Sequence, residues 1–353
     1  MDFRSDNVSS VSPEILNDLL KTNHGTSTSY AEDDLTRGVT RTLEDIFEHK
    51  ILFFPVLTGT ASNALGLSIL TPPYGGIFCS DEAHIYYDEC AAPEFFTGGA
   101  KLVGLPSHHG RLSAKSAETA VVKAASSGVH HVKPSVISLT QATELGTVYR
   151  PGEIAEISAV CKRFGLHLHM DGARFANALA TLDVTPAELT WKVGVDVLCL
   201  GATKNGALSA EGVLVFNSDL GDGLAYRVKR AGHLASKSRF ISAQWWAYLS
   251  NDLWLRNSRW ANAMARRLSR GLDGLSGIKI VFPTEANEVF VSVEDPVVVA
   301  LEKSGVRFSR WPNHEGNVLR FVTSFNTAES DIDACLSVLS DASRPERLRS
   351  IEG

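Results

Sequence analysis

The sequence has few cysteines and no excess of basic residues. Its five cysteines, spread over 353 residues, include no CxxC pair. This argues against a disulfide framework or a zinc site and favours a reducing compartment. The net charge of -6 argues against nucleic acid or an anionic membrane as the main partner. We therefore expect a cytoplasmic protein that binds neither.

Long apolar runs are also lacking. The most apolar window, residues 51–70, contains Pro55, Gly59 and Ser62, so it predicts a strand, a turn and a helix rather than a membrane span. The first seven residues are polar and acidic, which argues against a signal peptide.

Several well-known catalytic and binding motifs are missing. No G-x-G-x-x-G follows a strand, and neither a phosphate-binding P-loop, nor H-E-x-x-H, nor G-x-S-x-G is present. Some histidines are paired or alternate, but they lack a carboxylate at useful spacing: His108, His109, His130, His131, His167 and His169. We interpret them as mainly structural or polar, and we expect no metal site.

The order of apolar segments predicts the fold class. Strands and helices alternate over residues 50–216, which is typical of an α/β protein with a mostly parallel, doubly wound sheet. A tryptophan-rich helical stretch over 244–273 precedes a smaller α+β region with strands at 278–282, 288–293 and 318–323. We predict a large domain over 1–245, with an N-terminal segment lining the substrate, and a small C-terminal domain over 246–353.

Two predicted strands end in small residues that precede charged side chains. One strand, residues 195–200, leads to Lys204, and another, starting at Leu166, delivers Asp171 and Arg174. Ligands bind beyond the carboxyl ends of such strands, so we expect one crevice for a charged ligand. A lysine there can act as an amine nucleophile. The alternative for Lys204 is an ordinary surface lysine in a turn.

Two further segments fit the same ligand. The run Thr58–Asn63 opens a helix, and its free N–H groups suit a phosphate, although simple N-capping is the alternative. His84 follows a strand and is either a capping or surface residue or lies against a planar ring. Together with Asp171 and Lys204, these features suit pyridoxal phosphate, whose ring is an electron sink when its nitrogen stays protonated.

The chain resembles the L-threonine aldolases over essentially its whole length. The resemblance is carried, in order, by Phe3-Arg-Ser-Asp-Asn7, Ser29-Tyr-Ala-Glu-Asp-Asp34, Thr58-Gly-Thr-Ala-Ser-Asn63, His169-Met-Asp-Gly-Ala-Arg174 and Thr203-Lys204. It implies the aspartate-aminotransferase-like fold of fold type I pyridoxal phosphate enzymes, with a sheet of the seven-stranded type. It also implies a homo-oligomer, a dimer or tetramer, with sites at the subunit interface.

The resemblance also implies roles for individual residues. Lys204 would attach the cofactor, Asp171 would face the ring nitrogen, His84 would stack on the ring, and His84 or His130 would act as the base. The phosphate would contact Gly59 and Thr60, with Lys229 in place of an arginine that reaches a neighbouring subunit. Arg230 is the alternative to Lys229. The substrate would contact Ser5, Tyr30, Arg174 and Arg320.

One segment departs from the resemblance. Thr140-Gln-Ala-Thr-Glu144 replaces a commoner Glu-Asn-Thr run and should border the substrate. We expect retro-aldol cleavage of L-3-hydroxy-α-amino acids to glycine and an aldehyde. The alternatives are β-elimination or transamination with the same cofactor, and, from another class, a non-catalytic binding protein of this fold.

Overall fold

A seven-stranded sheet forms the centre of the protein in a computed structural model that describes residues 1–311, 314 and 316–344. Its strands are β1 (Leu52–Val56), β2 (Gly75–Ser80), β3 (Lys101–Leu105), β4 (Lys133–Thr140), β5 (His167–Gly172), β6 (Val197–Gly201) and β7 (Glu211–Val215). The spatial order is β1-β7-β6-β5-β4-β2-β3. Only β7 runs against its neighbours. The predicted α/β class and mostly parallel sheet are confirmed.

Helices cover both faces of this sheet. They are α1 (Pro13–Thr22), α2 (Asp34–Phe47), α3 (Gly59–Leu70), α4 (His84–Tyr87), α5 (Ala92–Thr97), α6 (Ala114–Ser126), α7 (Pro151–Phe164), α8 (Phe175–Leu182), α9 (Leu224–Arg230) and α10 (Arg239–Leu249). Strands β6 and β7 are buried along their whole length, because apolar side chains pack on each face. Val197 packs with Leu65 of α3 on one face, and Leu198 packs with Phe175 on the other.

A second, antiparallel sheet lies in the C-terminal part of the chain. Its strands are β8 (Ile278–Ile280), β9 (Glu288–Val293), β10 (Ser309–Arg310) and β11 (Asn317–Val322), in the order β10-β11-β9-β8. Helices α11 (Leu253–Leu272), α12 (Asp295–Lys303) and α13 (Glu329–Ala342) accompany it. The predicted tryptophan-rich helical stretch is thus two helices, α10 and α11. The domain boundary at 245/246 stays a prediction.

The N-terminal segment attaches to this second sheet. The N–H of Phe3 donates to the carbonyl of Arg307, and the N–H of Val322 donates to the carbonyl of Phe3. Phe3 is buried among the apolar side chains of β9 and β11. Phe3 is therefore fixed on the second sheet. The residues that follow it run from there toward the large sheet, where Asp6 contacts Arg174.

A side-chain cap starts helix α2. Asp33 caps it, with its Oδ1 accepting a hydrogen bond of 2.8 Å from the N–H of Thr36, so residues 34–39 are helical. Among the described residues, no helix is both long and apolar enough to cross a membrane.

Candidate active site

A small cavity lies beyond the carboxyl ends of β4, β5 and β6. Five residues predicted to act on a ligand line it, namely Gly59, His84, Asp171, Arg174 and Lys204. They come from four segments that are far apart in the sequence. The strand order explains their meeting, because the parallel strands end at the same edge of the sheet.

Two glycines allow the strand ends to approach each other closely. A Cβ at Gly172 would lie 2.7 Å from Leu198 Cδ1 and 2.9 Å from the carbonyl of Cys199. A Cβ at Gly201 would lie 2.8 Å from the carbonyl of Ala173. Side chains at these two positions would push β5 and β6 apart. The small residues after each strand therefore fix the spacing between Asp171 and the 3₁₀ turn Thr203–Asn205, which carries Lys204.

The Asp171 carboxylate is held by a short chain of hydrogen bonds. Its Oδ1 accepts from the N–H of Ala173 at 2.9 Å, and its Oδ2 accepts from Asn63 Nδ2 at 2.8 Å. The same amide donates to Glu89 Oε1, which also accepts from Nδ1–H of His84, both at 2.8 Å. His84 and Asp171 are thus oriented by one buried chain of side chains.

Sequence reasoning missed the roles of Asn63 and Glu89. Asn63 lies one turn after Gly59 in α3, and Glu89 lies five residues after His84. These spacings could have suggested that Asn63 and Glu89 lie near the site. They do not reveal that the two side chains, which belong to separate elements, are in contact. Hydrogen bonding to Glu89 raises the pKa of His84 above its usual 6.5, and burial raises the pKa of Glu89.

Two more buried carboxyl groups lie at this edge of the sheet. Burial raises the pKa of both Glu144, in the loop after β4, and Glu211, at the start of β7, to about 7. Glu144 lines the cavity, whereas Glu211 Oε1 accepts from the N–H of Thr203, next to Lys204.

Arg174, which lines the cavity, forms an ion pair with Asp6. Its Nε donates to Asp6 Oδ2 at 2.8 Å and its Nη2 to Asp6 Oδ1 at 3.1 Å. Burial alone would raise the pKa of Asp6, but the adjacent guanidinium lowers it overall. Nη1 of Arg174 donates to no acceptor among the described residues, so it is the atom that can meet a ligand carboxylate.

Two of the other predicted substrate residues, Ser5 and Arg320, lie close to this pair. Arg320 Nη1 donates to Glu288 Oε1 at 3.4 Å, and the same oxygen is 3.5 Å from Arg174 Nη2. Ser5 directly precedes Asp6, and its Oγ lies 3.4 Å from Asp6 Oδ1. The structure therefore brings Ser5, Arg174 and Arg320 into one cluster, and their contact with a substrate stays a prediction.

Tyr30 and Lys229 lie outside the cavity. Lys229 Nζ sits 4.9 Å from the centre of the Tyr30 ring, and both residues are exposed. They lie by a separate groove formed with β1 and α9. Within one chain the structure does not bring them to Lys204.

The structure contradicts, within one chain, the role predicted for His130. This residue is exposed in the 3₁₀ turn Gly128–His130, which precedes β4, whereas the cavity follows the carboxyl end of β4. The eight residues of β4 separate the two, which is roughly 25 Å of extended chain. His130 therefore cannot serve as the base of its own chain's site.

His169 is buried within the central sheet. His169 is buried between Ser138 Oγ, 2.8 Å from Nδ1, and Cys199 Sγ, 3.2 Å from Nε2. Burial lowers the pKa of His169 to about 4, so it is neutral. In the part of the chain that the structure describes, no group of three or more potential ligands is arranged around a metal position.

The cavity fits pyridoxal phosphate in its donor set. It offers the Lys204 amine for the aldehyde, the Asp171 carboxylate for the ring nitrogen, and the start of α3 for the phosphate. Thr58 Oγ1 accepts from the N–H of Ala61, which leaves the first N–H groups, at Gly59 and Thr60, for an anion. Buried oxygens without a partner among the described residues also face this region, on Asn63, Glu89 and Glu144.

Comparisons with known proteins show what this chain is similar to. Residues 2–296 match the family described as Beta-eliminating lyase. The chain is 44% identical over 330 residues to a low specificity L-threonine aldolase of Pseudomonas sp. (strain NCIMB 10558), covering 94% of each chain. It is also 44% identical to a low specificity L-threonine aldolase of Pseudomonas aeruginosa, covering 92% of this chain and 93% of the relative. The solved structure of Leishmania major threonine aldolase superposes with a TM-score of 0.91 at 27% identity, covering 97% and 99% of the two chains.

Proposed function

The chain belongs to the Beta-eliminating lyase family, and on this premise we propose that it is a pyridoxal phosphate-dependent carbon–carbon lyase. It cleaves L-3-hydroxy-α-amino acids, such as L-threonine or L-allo-threonine, to glycine and an aldehyde. The observation that carries this proposal is the placement of Lys204 and Asp171 in one cavity with an arginine pair beside it. The names of the two 44% identical relatives support the reaction type.

Some residues of the site bind the cofactor, and others keep the binding residues in position. Lys204 attaches the cofactor, Asp171 faces its ring nitrogen, and Gly59 and Thr60 bind its phosphate. When bound, the cofactor supplies an electron sink for the charge that develops at the substrate Cα. His84 is fixed by Glu89 and lies against the ring. Glu89 and Asn63 keep both His84 and Asp171 in place.

The arginine cluster fixes the substrate. Arg174 Nη1 and Arg320 bind its carboxylate, with Ser5 beside them, and the Asp6 and Glu288 carboxylates hold the two guanidinium groups. Fixing the carboxylate fixes the rotation about the bond from Cα to nitrogen. That rotation decides which bond to Cα overlaps the ring system and breaks, so the cluster determines whether cleavage or elimination follows.

We expect Arg174→Lys and Arg320→Lys each to raise the substrate KM about tenfold or more. Lysine cannot reproduce the planar fork that binds a carboxylate. Steady-state kinetics with L-threonine would measure the effect. Arg310→Lys is the matched control, because Arg310 is exposed and pairs with Glu302. If the KM of both variants equals that of the wild type, the substrate carboxylate binds elsewhere.

We also propose a homo-oligomer, a dimer or tetramer, in a cytoplasmic setting. Tyr30 and Lys229 support the oligomer, because the roles implied for them need a site other than that of their own chain. Arg230, the alternative to Lys229, lies on the same helix. The cytoplasmic setting is supported by five cysteines that remain free, four of them buried.

Product analysis tests the proposed reaction. L-Threonine or L-allo-threonine should give glycine and acetaldehyde in equal amounts, and phenylserine should give glycine and benzaldehyde. Ammonia and a 2-oxo acid without glycine would establish elimination, and transfer of the amino group would establish transamination. A colourless protein that takes up no cofactor would favour the non-catalytic alternative.

A further inference from the structure

We propose that Glu144 is a further catalytic residue, whose carboxyl group exchanges the β-hydroxyl proton of the substrate. This inference rests on the proposed function and names the group that takes the proton. Glu144 lines the same cavity as His84, Asp171 and Lys204. It belongs to the Thr140–Glu144 segment, where the sequence departs from the run that is commoner in the resembling enzymes.

The two oxygens of the Glu144 carboxyl group differ in their surroundings. Oε1 accepts from Thr140 Oγ1 at 2.8 Å and from the N–H of His84 at 2.7 Å, so the group is held in one orientation. Oε2 is buried and has no hydrogen-bond partner among the described residues. A buried oxygen without a partner is costly, and a polar group of a bound substrate would remove that cost. Glu144 is thus fixed by one oxygen and available through the other.

The protonation of Glu144 suits a proton exchange near neutral pH. Burial, the largest cause, raises its pKa to about 7, so the acid and base forms are both populated. The titratable and charged groups that face it from the surrounding elements are Cys79, His84, Glu89, Tyr149, Asp171, Arg174 and Lys204. The nearby Asp171 charge also raises the pKa of Glu144, though less than burial does.

The other candidate bases are less available. Nδ1 of His84 is engaged by Glu89, and the ring of His84 is the part proposed to lie against the cofactor. His130 lies at the other end of β4. Glu211 does not line the cavity and is bonded to the backbone beside Lys204. Glu89 also lines the cavity and has an unpaired oxygen, but its other oxygen accepts from both Asn63 and His84 and so belongs to the chain that orients Asp171. Glu144 is therefore the carboxyl group at the cavity that we assign to the substrate.

The step balances without a further reactant. The β-hydroxyl proton moves to Glu144 Oε2, and the electron pair of the O–H bond becomes the second bond of the aldehyde carbonyl. The bond between Cα and Cβ breaks, its pair stays with Cα, and Cα takes up a proton as glycine forms. In the reverse direction, Glu144 returns the proton to the aldehyde oxygen. Cleavage requires the carboxylate form, so its kcat/KM rises as pH increases through about 7.

The test separates cleavage from reactions that need no β-hydroxyl group. In the holoenzyme, Glu144→Gln should lower kcat for L-threonine cleavage about 100-fold and remove the rising limb of the pH profile. Exchange of the glycine α-proton with deuterated solvent, followed by NMR, should stay within roughly threefold of the wild type, because glycine has no hydroxyl group. Absorbance of the bound cofactor should be unchanged.

Two variants and one spectrum complete the test. Glu144→Asp keeps a carboxyl group and should retain a rising limb at a reduced rate. Glu211→Gln is the matched control, since it removes another buried carboxyl group with a pKa of about 7, and it should also retain the limb. Infrared spectra of the cofactor-free protein below pH 7 should show a protonated carboxyl band that Glu144→Gln removes.

Two results would overturn the role of Glu144. One is a Glu144→Gln enzyme that cleaves L-threonine within roughly threefold of the wild-type rate with the same pH limb. The other is equal loss of cleavage and of glycine exchange, which would make Glu144 a cofactor-site residue instead. A wild-type enzyme that yields no glycine from L-threonine is a different failure, because it would refute the proposed function itself.

Discussion

Replacing Asp171 with alanine is expected to lower kcat/KM at least about 100-fold, which is ~3 kcal/mol of transition-state stabilisation. The carboxylate lies at the end of β5, fixed by the N–H of Ala173 and by Asn63. In the role proposed for it, this carboxylate would face the ring nitrogen and favour the protonated ring, whose capacity as an electron sink depends on that charge. Alanine removes the charge, and Asn63 loses one of its acceptors. Steady-state kinetics of the cofactor-saturated variant would measure the effect.

Asp196→Ala is the control for a lost aspartate in the same sheet. Asp196 lies at the amino end of β6, where its Oδ2 accepts from the N–H of Leu168. It should lower stability without a comparable loss of turnover. Near-normal turnover of a folded Asp171→Ala protein would show that Asp171 does not control the ring nitrogen.

Replacing Lys204 with alanine should have a larger effect, a loss of at least about 1000-fold, or ~4 kcal/mol. Lys204 is the lysine that lines the cavity, and the turn that carries it is set by the close approach of β5 and β6. Without its amine, the covalent attachment proposed to orient the cofactor would be lost. Rate measurements and the absorbance retained after dialysis would report the two losses separately.

Lys192→Ala provides the matched control for the lysine substitution. Lys192 pairs with Glu48 on the surface and lies outside the cavity. Its removal should leave both cofactor retention and cleavage close to the wild-type values. A Lys204→Ala enzyme with comparable retention and turnover would refute the role of Lys204.

The main parts of the site could be predicted because they follow from strand ends. Apolar runs locate β5 and β6, and parallel strands in such a sheet expose their carboxyl ends on one side. The positions of Asp171 and Lys204 follow directly from this rule. The helix start at Gly59 is also a local feature, since its Thr58 cap can be recognised in the sequence.

The parts that sequence reasoning missed depend on contacts between distant elements. Asn63 joins Glu89 to Asp171 only because α3 and the loop between α4 and α5 meet at the end of β5. The pairing of Asp6 with Arg174 requires the N-terminal segment to be anchored on the small sheet. Likewise, the raised pKa of Glu144 is a consequence of burial, which no spacing in the chain reveals.

Borohydride reduction of the cofactor-loaded protein, followed by peptide mapping, tests the assignment of this cavity most directly. Reduction makes the link between a lysine and the cofactor permanent, so the modified peptide identifies the residue that holds it. The modification should lie on Lys204, within the peptide that follows β6. A modification on Lys229, Lys237 or any other lysine would contradict the assignment and place the reaction elsewhere.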